Sequence, residues 1–195
     1  MALVKETFTL GINDCKLYPI TSDTDSEFVC GTGVDVPGIQ EVTMEIEIDE
    51  KELYGDEQVL DIYSKAKKVN FTATCAKVSL DVIAATLGGT VTAGGSTPNQ
   101  TQTLSYDLGT ISNYFQLAGK VDYVEELQAV GDYQFNITKC KINSNSFGQP
   151  AEEYGTFSFA GNGINSTYGF TAPKGKALTL KLAETASALA AVTSS

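Results

Sequence analysis

The sequence predicts one mainly β domain with a single α-helix and a long hairpin loop. Three observations carry that expectation. Eighteen glycines and a threonine-rich composition break the 195 residues into short apolar runs, and β-branched and aromatic side chains suit a half-buried pleated surface. Val42 to Asp49 alternates apolar and polar without a miss, the period of a strand with one buried face. A convincing helical period is confined to Ser79 to Gly89. This length buries one sizeable core and demands no second domain, so residues 1–195 are read as one unit.

The stretch before Phe28 is mixed. Within it, Asp23-Thr24-Asp25-Ser26-Glu27 reads as a solvated acidic loop, because it lacks the mid-loop glycine, distal glutamate and flanking helices of a calcium-binding loop. Gly31-Thr32-Gly33 and Val36-Pro37-Gly38 mark turns. In the strand that follows, Val42, Met44, Ile46 and Ile48 are expected to face a core, and Thr43, Glu45, Glu47 and Asp49 to form a polar row on the other face. Solvent exposure is the ordinary meaning of such a row; a surface that repels an anion is the sharper one.

Residues 50–68 are too polar for a core and too long for a tight turn, and Val69 to Ala76 alternates again, so the two strands frame a hairpin with a long loop at its tip. Loops beyond about 12–15 residues are uncommon in compact domains. This one holds Leu53, Tyr54, Leu60, Ile62 and Tyr63 beside Asp56. Such side chains are expected to order against a partner, which makes the loop a candidate assembly arm.

Ser79 is placed to cap a helix over Leu80 to Leu87, Asp81 suits the positive end of its dipole, and Gly88 or Gly89 closes it; Leu80, Ile83, Ala84 and Leu87 form its expected buried face. After a Gly/Ser/Thr/Pro/Asn loop at 92–102, strands are expected near 103–108, 113–121, 133–142, 154–161 and 177–182, with a bulge at Thr138-Lys139 where apolar parity changes. Residues 183–195 are small and polar and are read as a flexible C-terminal tail.

Composition narrows the function. The formal net charge is −11 and all thirteen basic residues are lysines; without guanidinium forks to grip phosphate, ordinary nucleic-acid binding is disfavoured. Residues 1–132 hold 21 acids and 8 lysines, and residues 133–195 hold 3 acids and 5 lysines, a polarity compatible with head-to-tail association. The chain has no histidine, and with it go the commonest neutral-pH base, the Ser/His/Asp and Cys/His sets and histidine-rich metal sites. Asp56-Glu57, Glu125-Glu126 and Glu152-Glu153 are adjacent loop acids, read as solvated rather than as a glycosidase pair. Gly31-Thr32-Gly33 and Gly161-Asn162-Gly163 precede no amphipathic helix and are read as turns, not phosphate cradles.

Cys15, Cys30, Cys75 and Cys140 are irregularly spaced and are read as reduced core residues. Four Asn-X-Ser/Thr sequons begin at Asn70, Asn99, Asn136 and Asn165, two of them inside expected strands. No apolar run approaches the ~20 residues of a membrane span. The start Met1-Ala2-Leu3-Val4-Lys5-Glu6 lacks the order of a signal peptide, so cytoplasmic synthesis is expected. No catalytic, cofactor or metal site is expected.

The elements run in a telling order: Gly33-Val34-Asp35-Val36-Pro37-Gly38, the acidic strand, the loop Glu50-Lys51-Glu52-Leu53-Tyr54-Gly55-Asp56, the returning strand and the helix. Tyr133-Gln134-Phe135-Asn136-Ile137-Thr138-Lys139-Cys140-Lys141-Ile142 and Glu153-Tyr154-Gly155-Thr156-Phe157-Ser158-Phe159-Ala160-Gly161 follow. Over most of residues 30–165 this resembles the major tail tube proteins of long-tailed bacteriophages (siphophages). The resemblance implies two packed antiparallel β-sheets, sandwich- or barrel-like, with a flanking helix. It also implies a non-enzymatic virion protein, made in the host bacterial cytoplasm, whose hexameric rings stack into a hollow tube that delivers DNA.

Implied partners are further copies of the chain and the tail tip, tape-measure and tail-terminator proteins. DNA would pass without specific binding, and no cofactor or membrane is involved. On that reading Glu45, Glu47 and Asp49 are candidates to line the lumen, where a negative wall lowers the affinity of DNA. Leu53, Tyr54, Asp56, Leu60, Ile62 and Tyr63 are candidates for contact between rings. The competing reading is a secreted or cell-surface β-sandwich of adhesin or pilin type, favoured by the Thr/Asn/Gly composition and the sequons; a capsid decoration protein is a third.

Overall fold

The computed structural model describes residues 8–56, 58–125, 128–151, 154–168 and 175–194. Among them the chain runs β1 (Phe8–Asp23), β2 (Phe28–Cys30), β3 (Val34–Asp35), β4 (Ile39–Gly55), β5 (Gln58–Cys75), α1 (Leu80–Leu87), β6 (Thr90–Gly94), β7 (Thr101–Ser105), β8 (Phe115–Glu125), β9 (Gln128–Gly148), β10 (Thr156–Ile164) and β11 (Leu178–Ala183). The protein is mainly β, with every described pairing antiparallel. One sheet follows the order β2-β1-β8-β9-β10-β5-β4, with β3 also on β1 and β11 also on β9; β6 and β7 form a separate ribbon.

The large sheet folds over on itself at β9. Asp132 to Ile137 pair with β11, Lys139 to Gly148 pair with β10, and β8 runs along the opposite edge. The changeover is a bulge: Ile137 to Cys140 on β9 spans the same step as Leu117 to Phe115 on β8. It falls at Thr138-Lys139, where the change of apolar parity predicts it, and a bulge bends its strand. Two layers result. β11, β9, β8 and β1 form one, and the far half of β9 with β10, β5 and β4 forms the other.

The core between them includes Leu17, Phe71, Phe115, Leu117, Ile137 and Phe159. Phe71 of β5 meets Phe115 of β8 across the layers at 6.1 Å, edge to face, and Phe159 beside it at 6.4 Å, the geometry that ring quadrupoles favour. Gly119 leaves room for this packing, since a Cβ there would lie 2.1 Å from the Phe135 ring. Cys15, Cys75 and Cys140 are buried free thiols and Cys30 is a half-buried one. Burial pushes Cys30 and Cys75 up to about 11, so all four stay protonated near neutral pH.

Helix α1 spans the expected residues. The Ser79 hydroxyl accepts from the Val82 N–H at 3.5 Å, and Gly88, at φ 84°, donates its N–H to the Ala84 carbonyl. Its buried residues are Val82, Ile83 and Thr86, with Leu80 and Leu87 at the margin, a shift from the expected stripe. Thr86 tolerates burial because its hydroxyl donates to the carbonyls of Val82 and Ile83.

Several expectations are corrected. The mixed N-terminal stretch is β1, an inner strand whose alternation is broken by Gly11, at φ 60°, and by register shifts on either side of Ile12. Part of the loop expected at 92–102 is the β6–β7 ribbon. The loop expected at 50–68 is strand up to Gly55 and again from Gln58, with a tight turn at Asp56, because β4 and β5 stay paired from Ile39↔Cys75 to Gly55↔Gln58; main-chain bonds supply the order that burial does not. Of the tail expected to be flexible over 183–195, Ala183 ends β11 and Ser187 to Ser194 are docked against the outer face of the first layer. Their small side chains let the backbone approach the sheet.

Asp23 is also not a solvated loop residue. Its carboxylate pairs with Lys139 at 2.5 Å and accepts the N–H groups of Thr167 and Tyr168. Burial alone would raise this carboxyl, but Lys139 and the two backbone donors outweigh it and hold it below the ordinary carboxylate value.

Two predictions follow from this packing. Gly119→Ala is expected to cost about 1–3 kcal/mol through overpacking, measured by urea unfolding, with part of the loss recovered by adding Phe135→Leu. Because the folded Asp23 pKa is lowered, its contribution is complete above the unfolded value near ~4 and fades as pH falls through the folded one. Asp23→Asn should cost on the order of 3 kcal/mol at neutral pH and flatten the acid limb of stability against pH.

Candidate functional site

Strand β10 covers β5 only as far as the pair Gly163↔Val69. Beyond it β4 and β5 continue paired with each other alone, to Gly55↔Gln58. Nine residues of strand make an arm of about 30 Å. Val69 at its root is 3% exposed, whereas eight large apolar side chains along it (Ile46, Ile48, Leu53, Tyr54, Val59, Leu60, Ile62, Tyr63) are 46–65% exposed. A two-stranded ribbon by itself is marginal in water, and this many exposed large apolar side chains on one ribbon mark an interaction site. The outer edge of β4 is also unpaired among the described residues, a template for another strand.

Two bulges set the faces of the arm. Lys67 is the extra residue between Glu47↔Lys68 and Ile48↔Ala66, and Leu60 the extra residue between Leu53↔Asp61 and Tyr54↔Val59. The first bulge turns two lysines toward one carboxylate. Lys67 Nζ lies 3.6 Å from Glu47 Oε1, Lys68 Nζ lies 3.0 Å from Oε2, and Asn70 Nδ2 donates to Oε2 at 3.3 Å. The hydrogen bonds from Lys68 and Asn70 hold the Glu47 carboxyl below its usual range.

Glu45, Glu47 and Asp49 therefore share one face, as their alternation predicts, with Glu45 and Asp49 exposed and Glu47 half-buried. The register adds what one strand cannot show. On that face the four acids Glu45, Glu47, Asp49 and Asp61 stand among the four lysines Lys51, Lys65, Lys67 and Lys68. The row is a balanced polar surface, not a bare anionic one. The opposite face prolongs the core face outward through Ile46, Ile48 and Ala66, is interrupted by Glu50, Ser64 and Glu52, and resumes with Ile62, Tyr54 and Val59 toward the tip.

The candidate inter-ring residues lie at and near the tip. Leu53, Tyr54, Leu60, Ile62 and Tyr63 are 54–65% exposed, and Asp56 turns the chain with φ 49°. Ile62 and Tyr54 belong to the apolar face, whereas Leu53 and Tyr63 belong to the polar one, so the tip carries apolar side chains on both faces, beside Lys51, Glu52, Asp56 and Asp61.

An open cleft of about 780 Å³ beside α1 is lined in part by Pro19, Pro37, Asp35, Asp81 and Ala84, with Asp35 paired to Lys16 at 3.2 Å. Among the described residues no group of His, Cys, Asp or Glu is placed to hold a metal ion, and no helix is long and apolar enough to cross a membrane. Sequence reading missed a second polar site, formed by Gln116 on β8 with Asp132, Gln134 and Asn136 on β9 beneath Ser187 to Ser194. The available signal was that these alternate positions carry mostly amides where an exposed strand face more often carries long charged residues.

No protein-family model matches the chain, and no curated protein matches it in sequence.

The exposure of the arm predicts a contrast. Ile48→Ser with Ile62→Ser should change the stability of the protomer by no more than about 0.5 kcal/mol, while Phe71→Ala in the core should cost about 3–5 kcal/mol, both read from urea unfolding at concentrations where the protein is monomeric.

Proposed function

We propose that the protein is a structural subunit that polymerises, with the β4–β5 arm as its assembly element, and that the polymer is a phage tail tube of stacked hexameric rings through which DNA is delivered. The observation that carries assembly is the arm: a ribbon of about 30 Å with eight exposed large apolar side chains and no partner strand beyond Val69 among the described residues. Covering a half-exposed side chain of this size returns about 1 kcal/mol. Eight return about 8 kcal/mol, against an association cost of about 4–15 kcal/mol. A single arm contact therefore does little better than break even, and assembly is favoured where each subunit makes several contacts at once, as in a stack of rings. A heterologous contact that does not close along one axis builds a filament.

Hexamers, the tube and the passage of DNA rest on the resemblance, as do the tail tip, tape-measure and tail-terminator proteins as partners. Within that reading Glu45, Glu47 and Asp49 face the channel. Lys67 and Lys68 beside them share Glu47, and Lys65 stands across from Asp49, so the face balances its cations with acids and offers DNA phosphates no continuous cationic track of the kind that drives non-specific binding.

Negative-stain electron microscopy over a concentration series tests the proposal, with rings or hollow tubes expected. Persistent monomers, even with a tail tip supplied as nucleus, would favour the surface-module reading. Replacing residues 48–67 by Asn-Gly should leave a folded, soluble protomer that makes no tubes; polymerisation by that variant would place the assembly element elsewhere. Glu45→Lys with Asp49→Lys should permit tubes but impede DNA ejection, and normal ejection would remove these residues from the lumen.

A further inference from the structure

The outer face of the β1-β8-β9 layer is built to hold an extended chain. Ser187 to Ser194 cross it from β9 over β8 and β1 to β2, and most contacts are sheet side chains gripping strap backbone. The Ser187 N–H donates to Asp132 Oδ2 at 2.6 Å, and Gln134 Nε2 donates to the Ser187 hydroxyl at 2.9 Å. The Tyr18 hydroxyl donates to the Leu189 carbonyl at 3.1 Å. The Gln116 amide copies a strand: its Oε1 accepts the Val192 N–H at 2.8 Å, its Nε2 donates to the Val192 carbonyl at 3.0 Å, and Asn136 Nδ2 steadies Oε1 at 3.0 Å. At the end, Ser194 donates its N–H to the Phe28 carbonyl and accepts the Phe28 N–H on Oγ. Leu189 is the buried apolar anchor, packed on Tyr18 and Ala118.

Recognition of this kind reads backbone and small side chains, and it leaves capacity unused. Asp132 Oδ1 and Asn136 Oδ1, in side chains belonging to residues 0% and 7% exposed, accept no hydrogen bond from any described group. A buried acceptor without a partner costs about 1–3 kcal/mol. The strap cannot slide to reach them, because exposed residues 184–186 tie it directly to Ala183 at the end of β11.

We propose that this groove takes the same segment, residues 187–194, from a second copy of the chain, so that straps exchange between subunits with residues 184–186 as the hinge. Exchange conserves the contacts of the strap, the condition that makes swapping of an identical element a low-cost route to association. The incoming segment is also free of the tether to Ala183, so that with its contacts to Gln116, Tyr18 and Phe28 kept, its first residues can adjust locally toward Asp132 Oδ1 and Asn136 Oδ1. The surface is separate from the arm, and the inference does not depend on the tube reading.

The test uses a fluorescent peptide of residues 184–194 and a chain ending at Ala183. Saturable binding is expected, weakened about tenfold or more by Gln116→Leu in the groove, which removes both bonds to Val192. Absence of binding by a truncated chain that keeps its β circular dichroism overturns the proposal. Should the truncated chain not fold alone, its folding on addition of peptide supports it.

Full-length protein supplies an independent reading. Tagged full-length chain is mixed with untagged chain, and the untagged chain is expected to co-elute only when at least one partner keeps residues 184–194. Co-elution that is equal with and without the strap on both partners overturns exchange. Cys30, half-buried against the strap cluster, adds a kinetic probe: excess peptide should not slow its reaction with a thiol reagent if the groove accepts only its own strap, and should protect it in the truncated chain if the groove accepts the segment in trans.

Discussion

Strand β9 pairs with three other strands, and the turn it makes at Thr138-Lys139 is the constraint on which the rest of the structure depends. Before the bulge it belongs to one layer and after it to the other, so a single backbone irregularity folds the sheet onto its own apolar side. The main chain freed by the bulge is accounted for: the Thr138 N–H donates to the Ala177 carbonyl, leading into β11. Lys139, still paired with Ile164 of β10, reaches Asp23 with its ammonium and stands over the Tyr114 ring at 4.8 Å. A buried ion pair at this corner, fixed further by the backbone of Thr167 and Tyr168, ties the end of β1 to the bend. The pair is weak support for stability in general, but here its geometry specifies where the layers meet.

With the layers joined at that corner, the arm follows from a mismatch of strand lengths. β4 and β5 stay paired after β10 has ended, so the apolar face that fills the core near Phe71 and Val69 runs on into solvent at Ile48 and Ile62. The chain also turns more polar there and Lys67 bulges, yet Ile48 and Ile62 remain apolar. What exposes them is the absence of a facing layer, which converts core positions into an exposed surface suited to a partner. The strap is the opposite case. Residues with little to bury are held down by Gln116, Asp132 and Gln134, and polar side chains that belong on a wet surface are buried beneath them. The molecule thus carries an apolar surface without a cover and a polar surface with one.

Much of the fold was legible in the sequence because its signals are local. The alternation of Val42 to Asp49, the cap and closing glycine of Leu80–Leu87 and the parity change at Thr138-Lys139 each arise from a few neighbouring residues, and the structure has the corresponding strand, helix and bulge. The candidate arm residues were legible for the same reason, as apolar side chains where no local core was available. Strand β1 was not, since bulges around Gly11 and Ile12 scramble its period. Nor was the strap, because small polar residues at a chain end look alike whether they fray or dock.

By itself, then, the sequence determined a mainly β chain without histidine, the faces of its regular strands, and the presence of an apolar excursion between them. Tertiary structure alone decided that the excursion is a paired ribbon, that Lys67 and Lys68 meet Glu47, that Asp23 is buried against Lys139, and that Ser187 to Ser194 close over Gln116 and Asp132. The physical reason is common to all four. Periodicity states which face a side chain takes, whereas charge compensation and burial depend on register between segments far apart in the chain, and register is set by bulges and strand lengths that act only once the layers have packed.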